Sequence, residues 1–375
     1  MIPESLIGVL LGCLTGLIPG IHPNTIASFY SSASSEEAVL LVSMLVTHTF
    51  LNIIPATFVG VPEEDTALTI FPAHELVNRG EGGKAISISA FSSLLSVILS
   101  IPLFYVVAAI SSFDLSFFYK FAIIFALIFF LRYERDPFGG SLSTLKRRVY
   151  FFAIFLLSGL LGLKVLEAGD FYFPLLTGLF ATPMLVQSLK SEKIVEQKVV
   201  LSFPNPVDVA KGVLAGFIVS IFPGISSGVA TGVASANSKS PESYISSISS
   251  ANTSAAILSL AMLHSGKVRS GVADALRGAR ENLFVLPLFI LVAAIIATAI
   301  TLLLTFPASK IFSKVKVGSV SLLVLIFLVA LSFHFSGIFG LAVFFSASAV
   351  GLISYTLKVR PIACMGSIML PVLIR

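Results

Sequence analysis

Two stretches of this 375-residue chain place small hydroxyl and amide side chains just after a Pro-Gly step inside apolar sequence. The first runs Gly8-Val9-Leu10-Leu11-Gly12, then six residues to Pro19-Gly20-Ile21, then His22-Pro23-Asn24-Thr25. The second runs Gly212-Val213-Leu214-Ala215-Gly216, six residues to Pro223-Gly224-Ile225, then Ser226-Ser227-Gly228 and Thr231. Pro has no N–H and clashes with the preceding turn, so a helix opens there. Nothing in hydrocarbon satisfies the freed backbone groups, so the openings must face protein or a wet cavity. A helix restarting beyond such a break offers N–H groups and a positive dipole end, which suit carboxylate or phosphate. Two matched breaks point to a transporter's binding site. An ordinary kink packed against its neighbours is the bland alternative.

Three further groups could act with the breaks. Around them, Asn24, Thr25, Ser28, Ser226 and Ser227 could hold anion oxygens or serve only as N-caps. In the helix following each break lie His48, Thr49 and Asn52, and Asn252, Thr253 and Ser254. Such groups could line a pocket, with His48 relaying a proton, or could simply hydrogen-bond between helices. The second role is the expectation for the serines of 243–254. Glu63, Glu64 and Asp65 follow Pro62 at an expected helix start, where acids complement the dipole; a coupling-cation site is the sharper reading. His22 and His74 show no metal-ligand spacing. No nucleophile–base pair, phosphate-binding Gly-rich loop or paired catalytic carboxylates stand out, so the reading is not an enzyme and needs no cofactor beyond a coupling Na+ or H+.

The elements that must position these residues are membrane helices. Charged residues are 11% of the chain and apolar ones 56%, with mean hydropathy +0.99, against about 25% charged in a soluble domain. The class is therefore an all-α polytopic membrane protein of about ten transmembrane helices, multi-pass in the cell membrane and in contact with its lipids. The net charge of +5 lies in loops and fits cytoplasmic segments rather than nucleic-acid binding. No Lys or Arg precedes the first apolar run, unlike a signal peptide. Cys13 and Cys364 lie in apolar sequence and imply neither a disulfide framework nor a thiolate metal site.

The expected organisation is 1–111, a first repeat with a broken helix and a re-entrant segment over Thr66 to Asn78; 112–189, intervening helices; 190–206, a polar linker; 207–317, a second repeat with its own broken or re-entrant helix; and 318–375, C-terminal helices. Beyond the first repeat's own helices, spans are expected near 115–131, 149–165, 171–189, 281–306, 318–335 and 337–356. A constant shift between the copies sets Asn252-Thr253 against His48-Thr49, which supports an internal repeat. Basic-residue bias does not orient the repeats; inverted symmetry is favoured by analogy with transporter folds.

On these motifs the chain resembles the TctA family, the large membrane subunits of tripartite tricarboxylate transporters. The carrying residues are Gly12 through Thr25, Asn52-Ile53-Ile54-Pro55, and Pro62 through Lys84, with Phe71-Pro72 and Arg79-Gly80-Glu81-Gly82-Gly83-Lys84. The second half matches more thinly, at Pro223 through Gly228. The resemblance implies a gradient-driven secondary carrier for di- or tricarboxylates, working with a small membrane subunit and an extracytoplasmic binding protein. A homodimer is a further expected assembly. The chain looks shorter than typical members, and its second break is richer in Ser. The element Phe222 through Gly228 is also similar to membrane families proposed to move polyprenyl-phosphate lipids, whose headgroup would suit the same helix ends.

Overall fold

The computed structural model describes residues 1–18, 21–27, 29–30, 32–58, 70–113, 116–135, 139–169, 171–189, 195–198, 200–222, 240–314 and 316–374. Helices α1 to α6 are Ile2–Leu17, Pro23–Ala27, Ser35–Leu51, Ile53–Phe58, Ile70–Asn78 and Gly82–Ile110. Helices α7 to α11 are Ser116–Tyr133, Ser141–Ala168, Tyr172–Leu176, Thr182–Ser188 and Pro206–Ile221. Helices α12 to α16 are Pro241–Ala261, Gly271–Ala275, Leu286–Phe312, Val317–Thr356 and Gly366–Ile374. There is no β-strand among the described residues. Five stretches are long and apolar enough to cross a membrane: Ser35–Phe58, Gly82–Ile110, Ser141–Ala168, Leu283–Phe312 and Gly318–Thr356.

The larger number of spans read from the sequence also counts shorter and interrupted stretches. The span near 171–189 is divided into α9, a π-helical turn Thr177–Ala181 and α10, and Pro183 there removes a helical donor. The spans 318–335 and 337–356 join into α15, whose helix is interrupted at Gly337 (φ 60°, ψ −155°). Forty residues would reach about 60 Å if straight, twice the hydrocarbon thickness. A positive φ at that point is available to glycine at little cost.

Two close helix pairs dominate one body of the molecule, α1 with α3 and α11 with α12. Both are driven by small residues, as expected where lipid removes the hydrophobic force between helices. On α1 the buried face is Ser5, Gly8, Gly12, Thr15 and Gly16, while Leu6, Ile7, Leu10 and Leu14 are exposed. A Cβ on Gly8 would lie 2.3 Å from the Leu40 carbonyl oxygen, and one on Gly12 would lie 2.5 Å from Thr47 Cβ. On α11, Gly212 and Gly216 do the same work: a Cβ there would lie 2.3 Å from the Ser247 carbonyl oxygen and 2.0 Å from Ser254 Oγ. Helix α3 starts with a capping box, Ser34 with Glu37, which satisfies two donors reciprocally. With α4 it forms Ser35–Phe58, the most enclosed of the five long apolar stretches. Helices α1, α6, α12 and α14 pack around it.

The segment before α11 is docked rather than loose. Gln197 accepts from Gly82 N–H (2.8 Å) and donates to the Val77 carbonyl (2.9 Å), and Lys198 N–H donates to the Gly80 carbonyl (2.7 Å). Asn205 then caps α11 by accepting from Val207 N–H at 2.9 Å. A second body forms where α7, α8, the π turn and the chain's last residues share an apolar cluster. Its basic edge is held by Glu134, a buried acid 3.3 Å from Arg147 and 3.7 Å from Arg360. Burial pushes that carboxyl up from its ordinary value, while Arg360 and Arg147 pull it back.

Candidate functional site

Helix α1 ends at Leu17, and Ile18 turns extended (φ −102°, ψ 103°). Pro19 and Gly20 lie outside the described residues. Beyond them the helix restarts as the five-residue α2, Pro23–Ala27. A turn this short builds little macrodipole, so anion chemistry at the first break must come from side chains and individual N–H groups.

Those side chains converge. His48 is fully buried on α3, and its Nδ1 lies 3.2 Å from Thr15 Oγ1 on α1. The Thr15 hydroxyl also lies within donating distance of the Gly12 carbonyl (3.2 Å), so Thr15 joins α1 to His48 across the helix interface. His22 packs edge-on against His48, ring centroids 4.8 Å apart at 68°. Its Nδ1 accepts from Asn24 N–H at 3.1 Å, which places the His22 proton on Nε2.

One segment of the second half reaches both the end of α11 and the turn holding Asn24. Asn24 Oδ1 accepts from Val272 N–H in the first turn of α13 at 3.1 Å, and Ala33 N–H donates to the Ala275 carbonyl at 2.8 Å. Gly271 makes that approach feasible, because a Cβ there would lie 3.0 Å from Asn24 Cβ. Two residues before Gly271, the partly buried Arg269 donates through Nη2 to the Ile221 carbonyl at 2.6 Å. Ile221 is the last residue of α11, two before Pro223. A guanidinium thus stands at the C-terminal end of α11, and the α13 segment ties that end to α2.

Residues 5–366 match the family described as Tripartite tricarboxylate transporter TctA family. The chain belongs to the TctA family. An uncharacterized protein of Methanocaldococcus jannaschii is 32% identical over 375 residues, covering 93% of this chain and 92% of its own. No solved structure matches. Membership of a transporter family, together with several long apolar helices, makes this TctA member a multi-pass membrane protein.

The other site residues of this TctA chain divide into those the structure brings together and those it does not describe. Thr49 and Thr253 meet where α3 crosses α12, Oγ1 to Oγ1 at 3.3 Å, with Thr253 also bonded to Ser93 on α6 (2.9 Å). Asn52 caps the end of α3, its N–H bonding to the His48 carbonyl at 3.0 Å. Asn252 is buried beside Thr253. Thr25 lies in α2, its side chain outside the described residues, as are Ser28, Glu63, Glu64, Asp65, Pro223, Gly224, Ser226, Ser227, Gly228 and Thr231. The remaining serines form a ladder between α6 and α12: Ser92 to Ser246 (3.0 Å), Ser249 to Ser89 (2.8 Å) and Ser250 to the Ser92 carbonyl (3.3 Å). Ser254 donates within its own helix, to the Ser250 carbonyl at 2.7 Å.

The glycine contacts correct one pairing. Ser43 stands against Gly8 as Ser250 stands against Gly212, and Thr47 against Gly12 as Ser254 against Gly216. By that register Ala255 and Ala256, rather than Asn252 and Thr253, occupy the places of His48 and Thr49. Three more residues separate glycine and contact in the second pair, which a constant shift along the sequence conceals. Thr15 and Arg269 are the site residues that sequence reasoning missed. Thr15 is one hydroxyl in an apolar helix, and Arg269 lies far along the chain from the break it reaches.

Proposed function

We propose that the chain is a secondary carrier for a small organic anion of the di- or tricarboxylate class, driven by an ion gradient and held between the two Pro-Gly breaks. One observation carries this reading: the segment 269–275 puts Arg269 at the end of α11 and Val272 against Asn24. A guanidinium is a planar, permanently charged fork suited to carboxylate. The side-chain amides of Asn24, Asn52 and Asn252 supply neutral donors, with Thr49 and Thr253 packed behind them in hydrogen bonds of their own, and the first residues of each break supply backbone N–H groups. TctA-family membership supports that substrate class. The same reading takes the architecture as two repeats, inverted, of about ten membrane helices in the cell membrane. It includes the small membrane subunit and binding protein that the family's tripartite name implies.

Thermal unfolding in detergent tests this, with citrate-like acids against polyprenyl phosphates, each with and without sodium. Stabilisation by citrate is the expected result, at about 2.7 kcal/mol when the ligand stands at a hundred times its Kd. A second reading is a translocase for a lipid-linked phosphate. Arg269 gives it the basic residue such a headgroup needs, and the exposed Leu10, Leu14, Leu214 and Ile218 let lipid approach both helices that end at the breaks. Stabilisation by polyprenyl phosphate alone would establish that reading in place of the first.

A further inference from the structure

We propose that the basic edge of the second body binds the headgroup of an anionic phospholipid, whose acyl chains lie along the outer face of α8. Three helix ends meet at this edge: the C-terminus of α7, the N-terminus of α8 and the C-terminus of α15. Charged groups join them. Glu134 lies just beyond α7 and is fully buried. Its two carboxylate oxygens face Arg147 Nε of α8 at 3.3 Å and Arg360 Nε, beyond α15, at 3.7 Å. Arg148 donates to the Glu134 carbonyl at 3.2 Å and to the Arg132 carbonyl at 3.1 Å. Arg147 also donates to the Lys358 carbonyl. Three guanidinium groups are thus held about one acidic residue.

The charges at this edge do not balance. Arg132, Arg135, Lys146 and Lys358 are exposed beside the three arginines, which makes seven basic side chains. The acids in residues 115–166 and 317–375 are Glu134 and Asp136, of which Asp136 lies outside the described residues. With both acids ionised, five positive charges remain in excess. Basic side chains next to a bilayer attract anionic lipid, each contributing about fivefold in affinity. Guanidinium forks form paired hydrogen bonds with phosphate oxygens, so the phosphodiester of a lipid headgroup fits the excess.

A second observation separates a lipid from a free anion. On α8, Leu142, Leu145, Val149, Phe152 and Leu156 are exposed at three- and four-residue spacing, which makes one continuous stripe on a helix. Lys146 stands in that stripe between Leu145 and Val149. A long basic side chain lays its stem on apolar surface and presents its charge at headgroup level. Cationic groups at the head of an exposed apolar track match a phospholipid, whose phosphate sits above its chains. A bound headgroup supplies the missing counter-charge and links α7, α8 and α15. The edge shares no residue with the proposed anion site between the breaks and is independent of it.

Native mass spectrometry of the full chain tests this, by titrating dioleoyl phosphatidylglycerol against dioleoyl phosphatidylcholine. The wild type should prefer phosphatidylglycerol by about tenfold or more. Lys358→Gln and Arg360→Gln should each weaken its binding about fivefold. Lys358→Gln retains the carbonyl that Arg147 uses, so it decides the matter where Arg360→Gln fails to fold. Lys164→Gln, at the far end of α8, removes the same charge and should change nothing. Glu134→Gln should act with the opposite sign: it keeps the side-chain shape, removes the internal counter-charge and tightens phosphatidylglycerol binding about fivefold. A Glu134→Gln protein that is less stable to heat yet binds the lipid as the wild type does would overturn the proposal. Equal binding of the two lipids by the wild type would overturn it too, and leave the edge to an acidic protein partner. Displacement of phosphatidylglycerol by inorganic phosphate would make the edge a free-anion site instead.

Discussion

Helix pair α1–α3 and helix pair α11–α12 solve one packing problem with two kinds of chemistry. Both bring backbones together through glycines four residues apart, with Gly8 and Gly212 each facing a carbonyl at the same 2.3 Å for a notional Cβ. Their contents then diverge. The first pair encloses a fully buried imidazole hydrogen-bonded across the interface. The second has alanine at the corresponding place and spends its hydroxyls on a ladder to α6. Lipid offers no hydrophobic force between helices, so close backbone approach is the shared requirement. Once that is met, each interface is free to carry different polar groups. The buried imidazole belongs to the first pair, and the hydroxyl ladder to the second.

The comparison breaks most visibly at the glycines. Gly8→Leu and Gly212→Leu should each cost about 3 kcal/mol or more, because the neighbour is a helix carbonyl that cannot step aside. The measurement is recovery of monodisperse protein after heating, by size-exclusion chromatography. If one substitution is tolerated and the other is not, the two interfaces are not equivalent and the register drawn from their contacts fails.

The helix ends that lead to the breaks differ in their partners, and Arg269→Gln sharpens that difference. It should weaken citrate binding by about 2 kcal/mol, roughly thirtyfold, as expected for a hydrogen bond to a charged group. Thermal stability without ligand should move by less than about 1 kcal/mol, since the guanidinium is only partly buried and glutamine retains a donor. Calorimetric titration checks the first number and unfolding the second. An equal loss in both would make Arg269 a helix-end cap for α11 and nothing more.

Asn24→Ala probes the contact on the other side. Removing Oδ1 leaves Val272 N–H without that acceptor, at a cost of about 1 kcal/mol in line with loss of a cap. Exchange at 271–275 should rise while exchange in α12 stays unchanged. Asn24 was readable from the sequence as a polar residue after a Pro-Gly step, but not as an acceptor for a helix 248 residues away. The same limit explains what else was legible. Glycines at four-residue spacing and apolar helices are local signals, and each appears where the sequence placed it. His22 and His48 were visible singly; their 4.8 Å approach depends on how far α2 folds back. Arg269 and Thr15 became site residues only through tertiary contacts. The three-residue difference between the two pairs was invisible because identical spacing up to Pro223 invited a constant shift.

The smallest effect is the most discriminating for the serine ladder. Ser92 donates to Ser246 at 3.0 Å across α6 and α12, both residues being buried. Each single change to alanine leaves a hydroxyl facing a methyl group, and the double change removes the pair without a void. A double-mutant cycle should therefore give a coupling of about 0.6 kcal/mol, the average for hydrogen bonds between membrane helices. Reversible unfolding in mixed micelles can resolve that value. A coupling near zero would mean that the unfolded helices find equivalent partners, leaving shape alone to fix the register. A coupling of several kcal/mol would instead assign the second helix pair a polar network as consequential as the histidines of the first, and the division of labour between the two interfaces would fall.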